Sequence, residues 1–145
     1  TCSRELQGYI YTKTEESMSM KEKKETPLKA AFTWDELKLN SDGMVCVVVQ
    51  DDKNKDVLMV AYMNRQAYEK TLETGVMTYW SRSRNELWVK GLTSGHFQYV
   101  RSLYLDCDND TILARVDQVG AACHTGSRSC FFKEIMKSDN VAENS

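Results

Sequence analysis

Apolar and polar residues are distributed along the chain in a way that predicts short strands joined by tight polar turns. The runs at 44–51 and 57–63 are rich in valine and methionine, and the polar turn DDKNKD lies between them. Apolar and β-branched runs bounded by such a turn are typical of a buried hairpin. The same signals predict two further hairpins, 76–83 with 86–91 around the dipeptide RN, and 97–106 with 111–119 around CDND.

Helical periodicity is clearest at 64–75. Asn64 is a candidate N-cap, apolar residues recur at helical spacing after it, and Gly75 provides a stop. A shorter helix is predicted at 32–40, where Thr33 can cap the first turn. A final element is expected through CFFKEIM at 130–136. Together these elements predict an α+β, strand-rich fold with a mainly antiparallel sheet and one or two packed helices.

The chain divides into a central domain and two polar ends. Residues 1–27 are polar, mixed in charge and closed by the only proline, so they cannot bury much apolar area. We therefore expect a mobile polar leader at 1–30, one globular domain at 31–137 and a mobile tail at 138–145. The 145 residues and the 41% hydrophobic content are sufficient for one domain with its own core.

Charge and hydropathy exclude several classes of function. Lysine and arginine total 19 against 21 aspartates and glutamates, a net charge of −2, so a broad nucleic-acid-binding surface is not expected. A local basic pocket for one phosphate is still compatible with this balance. No apolar run approaches the ~20 residues of a membrane helix, and the first residues lack the features of a signal peptide. We expect a soluble cytoplasmic protein with no nucleic-acid or membrane partner.

Three of the five cysteines lie in a pattern that indicates metal binding. Disulfides are disfavoured in a protein without a secretion signal, and clustered thiolates then point to a metal. Cys107, Cys123 and Cys130 supply three soft ligands, which leaves a fourth position open as in catalytic zinc sites. Zinc in such a site lowers the pKa of bound water, and His124 could act there as a general base or proton shuttle.

Two alternatives to a catalytic zinc site stay open. His124 could be a fourth zinc ligand, and the site would then be a structural one in a nucleotide-binding module. The three cysteines could also be unrelated buried residues, since free cysteine behaves as a small hydrophobe.

A carboxylate cluster surrounds Cys107, formed by Asp106, Asp108 and Asp110. On an extended strand, residues two apart share a face, so the three carboxylates would point one way and Cys107 the other. Oxygen clusters suit magnesium or calcium. An EF-hand calcium loop is excluded, because it needs glycine at its sixth position, where this chain has Thr111. The alternative is a solvated turn, since aspartate and asparagine are common turn residues.

The stretch YWSRSRNELWVKGLTSGH at 79–96 combines basic, hydroxyl and aromatic side chains. Guanidinium groups bind phosphate oxygens in pairs, and turn amides add hydrogen-bond donors. The stretch is therefore a candidate phosphate site, and the alternative is an exposed charged hairpin with two core tryptophans. The candidate binding residues are Trp80, Ser81, Arg82, Ser83, Arg84, Lys90, Thr93, Ser94 and His96.

Several motifs, in this order and spacing, resemble one enzyme family. YWSRSRNELWVKGLTSGH, LDCDND and CHTGSRSCFF, together with DGMVCVVVQD and VLMVAYMNRQAYEKTLETG, are similar to phosphoribosyl-AMP cyclohydrolase of histidine biosynthesis over about residues 35–132. The resemblance implies a hydrolase acting on a cyclic amidine C–N bond. It opens the adenine ring of phosphoribosyl-AMP between ring nitrogen N1 and carbon C6 and gives the formimino-aminoimidazole carboxamide ribonucleotide.

The resemblance also implies the cofactors and the assembly. It implies a homodimer with two active sites shared across the interface. In each site zinc is held by Cys123 and Cys130 together with Cys107 of the partner subunit. Magnesium is implied at the carboxylate cluster of Asp106, Asp108 and Asp110.

The resemblance finally assigns roles in the substrate pocket. His124 would assist the zinc-bound water, and Thr125 would bind substrate together with the candidate phosphate residues. Family members often carry charged residues where this chain has Val89, Leu92 and Ser127. We therefore expect weaker polar contacts near the pocket, with the chemistry unchanged.

Overall fold

Six strands and one α-helix form the part of the chain that the structure describes, which is residues 28–138 of a computed structural model. The expected mobility of the leader and the tail therefore concerns residues that lie mostly outside this range. A 3-10 turn at Trp34–Glu36 precedes the first strand, where a longer helix was expected. The elements are β1 (Val45–Asp51), β2 (Val57–Met63), α1 (Arg65–Thr74), β3 (Thr78–Ser81), β4 (Glu86–Val89), β5 (Gln98–Leu105) and β6 (Thr111–Gln118).

All three predicted hairpins are confirmed, and they assemble into two sheets. Strands β1 and β2, β3 and β4, and β5 and β6 each pair antiparallel. The larger sheet has the order β2-β1-β6-β5, while β3 and β4 form a separate two-stranded ribbon. The sheet is therefore mainly antiparallel, as predicted, but β1 and β6 pair in parallel at its centre. Local turn signals cannot reveal that pair, because the two strands are far apart in the sequence.

The larger sheet has one covered face and one open face. Alternate residues of β1, such as Val45, Val47 and Val49, are buried in the core, which also contains side chains of α1 and β3. The opposite face is the open face, and its residues remain half-buried or exposed. It consists of Cys46, Val48, Gln50, Val60, Tyr62, Ser102, Tyr104, Leu113 and Arg115.

Local capping signals explain where α1 and the β5–β6 turn lie. The side chain of Asn64 accepts a hydrogen bond from the Ala67 N–H at 2.9 Å, and Gly75 ends the helix in the left-handed conformation with φ of 78°. Both predicted helix boundaries are therefore confirmed.

The β5–β6 turn is tight because Asn109 adopts φ of 65°, a conformation that asparagine tolerates well.

The predicted final element at 130–136 is wrong. Residues 131–138 have no regular secondary structure. Ile135 is 98% exposed and Met136 is 70% exposed, so neither side chain buries apolar surface that would stabilise a helix or strand. Between residues 28 and 138, no helix is long and apolar enough to span a bilayer.

Candidate active site

A loop that follows β6 carries two of the predicted zinc ligands. This segment, residues 119–130, is called the thiol loop. The Cys123 N–H donates to the Ser127 carbonyl oxygen at 3.1 Å, which folds the loop back on itself. The Cys130 N–H donates to the Leu58 carbonyl oxygen at 2.7 Å, which attaches the end of the loop to β2. Cys123 and Cys130 are thereby brought together, and both are free thiols.

The two thiols differ in their readiness to ionise. A hydrogen bond from the Thr125 hydroxyl to Cys123 Sγ, at 3.1 Å, lowers the pKa of Cys123, and a Thr125 backbone hydrogen bond, Cys130 and the charge of Lys90 act in the same direction. Burial raises the pKa of Cys130, and the neighbouring Cys123 raises it further. Cys123 therefore ionises first. The thiolate is the form of cysteine that binds metals.

A buried lysine lies beneath the thiol loop. Lys90 is only 8% exposed, and its Nζ donates to the Ala122 carbonyl oxygen at 2.5 Å. Nζ also lies 5.2 Å from the ring centroid of Trp88. Burial lowers the pKa of Lys90, while the charges of Cys130 and Cys123 oppose that change. The lysine thus places its charge beside the two sulfur atoms and stabilises their ionised form.

Two cavities meet beside the thiol loop. The larger cavity, of about 1000 Å³, contains the predicted residues Trp80, Ser81, Arg82 and Ser83 along one wall. The smaller cavity, of about 590 Å³, contains the predicted residues Thr93, Ser94 and His96. Four residues line both cavities: Arg84, Trp88, Lys90 and His124. All of them except Trp88 were predicted as site residues from the sequence.

His124 and Thr125 occupy different positions relative to these cavities. His124 is exposed and lines both of them, so its imidazole is accessible to a bound molecule. Thr125 lines neither cavity, and its hydroxyl is directed to Cys123. The geometry therefore gives Thr125 a contact with the thiol and no contact with the cavities.

The two arginines of the larger cavity differ in their partners. The Arg84 Nε donates to the Glu86 carboxylate at 2.8 Å. The Arg82 guanidinium lies 4.2 Å from the ring centroid of Tyr62, a cation–π contact. Within residues 28–138 no carboxylate pairs with Arg82. Its hydrogen-bond donors are therefore available to an anion, and stacking on Tyr62 limits the motion of the side chain.

His96 lies directly against the backbone of Gly120. Gly120 has φ of 68°, and a Cβ atom at this position would lie 2.5 Å from the His96 Cδ2 atom. Any side chain larger than that of glycine would therefore displace the imidazole. Because His96 lines the smaller cavity and Gly120 does not, Gly120 shapes that cavity only through the position of the imidazole.

The carboxylate cluster forms, although for a different reason from the one expected. Oxygen atoms of Asp106, Asp108 and Asp110 all lie within 4.8 Å of one another. The three residues follow β5 in a turn, so the alternation expected of an extended strand is wrong. The turn is closed instead by Asp106 Oδ1, which accepts hydrogen bonds from the N–H groups of Asp110 at 3.0 Å and of Thr111 at 3.2 Å.

Hydrogen bonds and charge repulsion shift the pKa values of two of these aspartates in opposite directions. Desolvation by itself would raise the pKa of Asp106, but hydrogen bonds from Asp110, Thr111 and Asp108 together lower it. The pKa of Asp110 is raised, first by its hydrogen bond to Asp106 and also by the nearby negative charges. Such a set of oxygen ligands fits a hard divalent cation.

Cys107 lies away from the other two predicted zinc ligands. It is exposed in the β5–β6 turn, near the point where Thr111 pairs with Cys46 at the start of β1. Cys130 is attached to β2 beside the end of β1. With ~4.8 Å between strands and ~3.3 Å per residue, the two positions are roughly 15 Å or more apart. Among the described residues, no metal-binding group of three contains a cysteine.

One chain supplies two of the three predicted zinc ligands at one place. Two adjacent thiols, one with a lowered pKa, are suitable soft ligands. Cys107 of the same chain is too far from Cys130 to bind the same metal ion. A set of three thiolates would therefore need Cys107 from a second copy of the chain.

Comparison with known proteins agrees with the resemblance carried by the motifs. A family model described as phosphoribosyl-AMP cyclohydrolase matches residues 59–132. A phosphoribosyl-AMP cyclohydrolase of Listeria monocytogenes is 61% identical over 95 residues, which cover 66% of this chain and 90% of the relative. The enzyme of the same name from Streptococcus mutans is 63% identical over 93 residues, 64% of this chain and 85% of the relative. That from Streptomyces coelicolor is 54% identical over 105 residues, 72% and 82% respectively.

These similarities define the class of protein as an enzyme, a hydrolase. The chain belongs to the phosphoribosyl-AMP cyclohydrolase family.

Sequence reasoning missed several residues of the site. Tyr62 and Phe131 line the larger cavity, and Arg128 anchors the thiol loop through Asp51. Arg128 lies within the CHTGSRSC motif, and its position between two cysteines was a usable signal. Tyr62 gave none, because its contact with Arg82 joins two hairpins that local patterns treat separately.

Proposed function

We propose that the protein opens the adenine ring of phosphoribosyl-AMP in histidine biosynthesis and releases the formimino-aminoimidazole carboxamide ribonucleotide. One observation carries this assignment beyond family membership. The paired thiols, the accessible His124 and Arg82, which pairs with no carboxylate of residues 28–138, all border two neighbouring cavities that share four lining residues. That combination suits hydrolysis of a phosphorylated aromatic ligand.

The proposed step adds one water molecule across the N1–C6 bond. The hydroxyl oxygen of water bonds to C6, the N1–C6 bond breaks, and N1 takes up a proton. His124 is the group that moves this proton, because its imidazole is exposed and lines both cavities, and imidazole nitrogens can donate and accept protons. The indole of Trp88, which lines both cavities, offers an aromatic surface for the purine.

The basic and hydroxyl residues of the two cavities bind the phosphate groups of the substrate. Arg82 is assigned the main contact in the larger cavity, since no carboxylate in the described part of the chain pairs with its guanidinium. Thr93 and Ser94 supply hydroxyl groups in the smaller cavity. Two separate polar regions suit a substrate that carries phosphate groups at both ends.

Zinc is the metal that we assign to the thiols of Cys123 and Cys130, with Cys107 of the partner subunit as the third ligand. When bound, zinc lowers the pKa of a coordinated water molecule toward neutrality. Lys90 and Thr125 favour the ionised thiols that the metal requires. Magnesium is assigned to Asp106, Asp108 and Asp110, whose oxygen atoms already converge.

A homodimer is proposed because one chain holds only part of the ligand set. The open face of the sheet is the surface that we assign to the second copy. Val60, Tyr62, Val48, Leu113 and Tyr104 make this face largely apolar. Val60 and Tyr62 also line the larger cavity, so a subunit on the open face would border the active site.

A reducing compartment, the cytoplasm, is the proposed location. The four cysteines among the described residues are all free, and the assigned metal site needs reduced thiols.

The central test is turnover by the purified protein. Phosphoribosyl-AMP is incubated with the protein, zinc and magnesium, and the ultraviolet change on ring opening is followed. We expect His124→Ala to lower kcat by about 10²–10⁴-fold, the usual contribution of a positioned proton-transfer group. His96→Ala, the matched control, should retain kcat and change mainly KM. No turnover by the wild type with both metals present would refute the assignment.

Sharing of the site is tested with two inactive variants. Cys107→Ala and Cys123→Ala should each lose zinc and activity, whereas a mixed dimer of the two should regain about one intact site in two. Absence of recovered activity in verified mixed dimers would contradict a shared site.

A further inference from the structure

The ion pair between Arg128 and Asp51 links the thiol loop to the end of β1. Arg128 Nη2 lies 2.8 Å from Asp51 Oδ2 and 3.7 Å from a carboxylate oxygen of Asp56. The Asp51 side chain is only 12% exposed, and its other oxygen accepts a hydrogen bond from the Lys53 N–H at 2.8 Å. The hydrogen bond from Lys53 and the burial of the side chain therefore hold the Asp51 carboxylate in position to pair with Arg128.

Arg128 is placed so that its backbone position affects both thiols. It lies two residues before Cys130, and its carbonyl oxygen accepts a hydrogen bond from the Ala122 N–H at 3.1 Å, next to Cys123. The rest of the loop has no regular secondary structure. A displacement of Arg128 would therefore shift the two arms of the loop together.

The same arginine has no access to the two cavities. Arg128 lines neither of them, and its guanidinium is directed to the β1–β2 turn. The basic residue in the CHTGSRSC motif is therefore not placed to bind a phosphate group. This separates Arg128 from Arg82 and Arg84, which do line the larger cavity.

We propose that the Arg128–Asp51 ion pair is a positioning pair, which holds Cys123 and Cys130 at the separation that metal binding requires. The proposal rests on the zinc site of the proposed function. Side chains that orient metal ligands without touching the metal typically affect metal affinity by about 10–100-fold. The pair acts on metal retention and leaves substrate contacts untouched.

The test measures zinc affinity by competition with a chromogenic chelator, on the 145-residue chain purified without metal. We expect Arg128→Ala and Asp51→Asn each to weaken zinc binding by about 10–100-fold. Arg128→Lys, which keeps the charge but loses the planar donor group, should fall between them and the wild type. Combining Arg128→Ala with Asp51→Asn should weaken binding no more than the stronger single change, since both remove one contact.

The matched control is Arg65→Ala, which removes another arginine–carboxylate pair. Arg65 Nε lies 3.0 Å from Glu69 on the exposed surface of α1, away from the thiol loop. Its loss should leave zinc affinity unchanged. Urea unfolding of each metal-free variant identifies those that are folded at the start of the titration, and Asp51→Asn and Arg128→Lys serve if Arg128→Ala does not fold.

Kinetics provide a second readout that a merely structural role would not give. At saturating zinc, folded Arg128 variants should recover kcat to within a few-fold of the wild type with KM unchanged. Unchanged zinc affinity in folded variants, or a raised KM with normal zinc affinity, would overturn the proposal. Zinc binding without ring opening by the wild type would instead reject the proposed function and leave the positioning pair intact.

Discussion

The buried hydrogen bond between Tyr79 and Gln98 connects the β3–β4 ribbon to the larger sheet, and its removal should be measurable. The Tyr79 hydroxyl donates to Gln98 Oε1 at 2.5 Å, and both residues are fully buried. The Gln98 amide nitrogen donates to Gln118 Oε1 at 2.8 Å and contacts the Met59 sulfur at 3.3 Å. The amide therefore cannot rotate to find a new donor without losing these contacts.

The perturbation is Tyr79→Phe, which keeps the ring and removes the donor. A buried acceptor left without a partner costs about 1–3 kcal/mol. For a domain of this size, the loss corresponds to a fall in Tm of roughly 5–15 °C. Urea unfolding at pH 8 measures the change in free energy. Glu73→Gln, on the exposed surface of α1, is the control and should cost less than about 0.5 kcal/mol.

The stability difference between the wild type and Tyr79→Phe should also depend on pH. Burial raises the pKa of Tyr79 well above its usual value of 10.0, so the folded chain keeps the phenolic proton when the unfolded chain releases it. The unfolded state then binds fewer protons, and the wild type loses about 1.4 kcal/mol of stability per pH unit above pH 10. Phenylalanine has no such proton. A difference of about 2 kcal/mol at pH 8 should shrink to about 0.6 kcal/mol at pH 11. An unchanged difference between these pH values would refute the reasoning.

Three further predictions concern the site. Arg82→Ala should raise KM for the nucleotide by about 10–100-fold, as expected for a lost charge-assisted hydrogen bond, whereas Arg84→Ala, whose side chain is paired with Glu86, should raise it less; equal effects in steady-state kinetics would contradict this order. Gly120→Ala should cost about 1–3 kcal/mol in urea unfolding because of its positive φ, and should shift the NMR signal of the His96 ring that it displaces. Asp108→Asn should weaken magnesium binding in calorimetric titration, while Asp42→Asn in an earlier turn should not; equal affinities would exclude the carboxylate cluster as the magnesium site.

Local sequence signals were sufficient for the hairpins and for the ends of α1. Asn64 and Gly75 act through contacts within a few residues, and such contacts can be read from spacing alone. The convergence of Asp106, Asp108 and Asp110 was also predicted, although the backbone that achieves it is a turn and not a strand. The grouping of the three aspartates was predicted correctly although their strand conformation was not, because residues so close in sequence stay close in either a strand or a turn.

Contacts between distant segments could not be predicted in this way. Arg128 and Asp51 are 77 positions apart in the sequence, and Arg82 contacts Tyr62 only because two hairpins pack together. The parallel pairing of β1 and β6 has the same origin, since it depends on how complete hairpins assemble. The motifs therefore located the chemistry, while the supporting contacts required coordinates.

The central strand of the larger sheet has a practical consequence for recombinant fragments. Strand β1 pairs with both β2 and β6, yet it ends before residue 59, where the match to the family model begins. The 3-10 turn is also outside the match, although the Glu36 carbonyl oxygen accepts a hydrogen bond from the Asn109 side chain at 3.1 Å. An expression fragment trimmed to the matched boundary would lack β1, which lies between β2 and β6 in the sheet, and would lose the contact of Glu36 with the aspartate turn, so a usable N-terminal boundary has to lie upstream of Trp34.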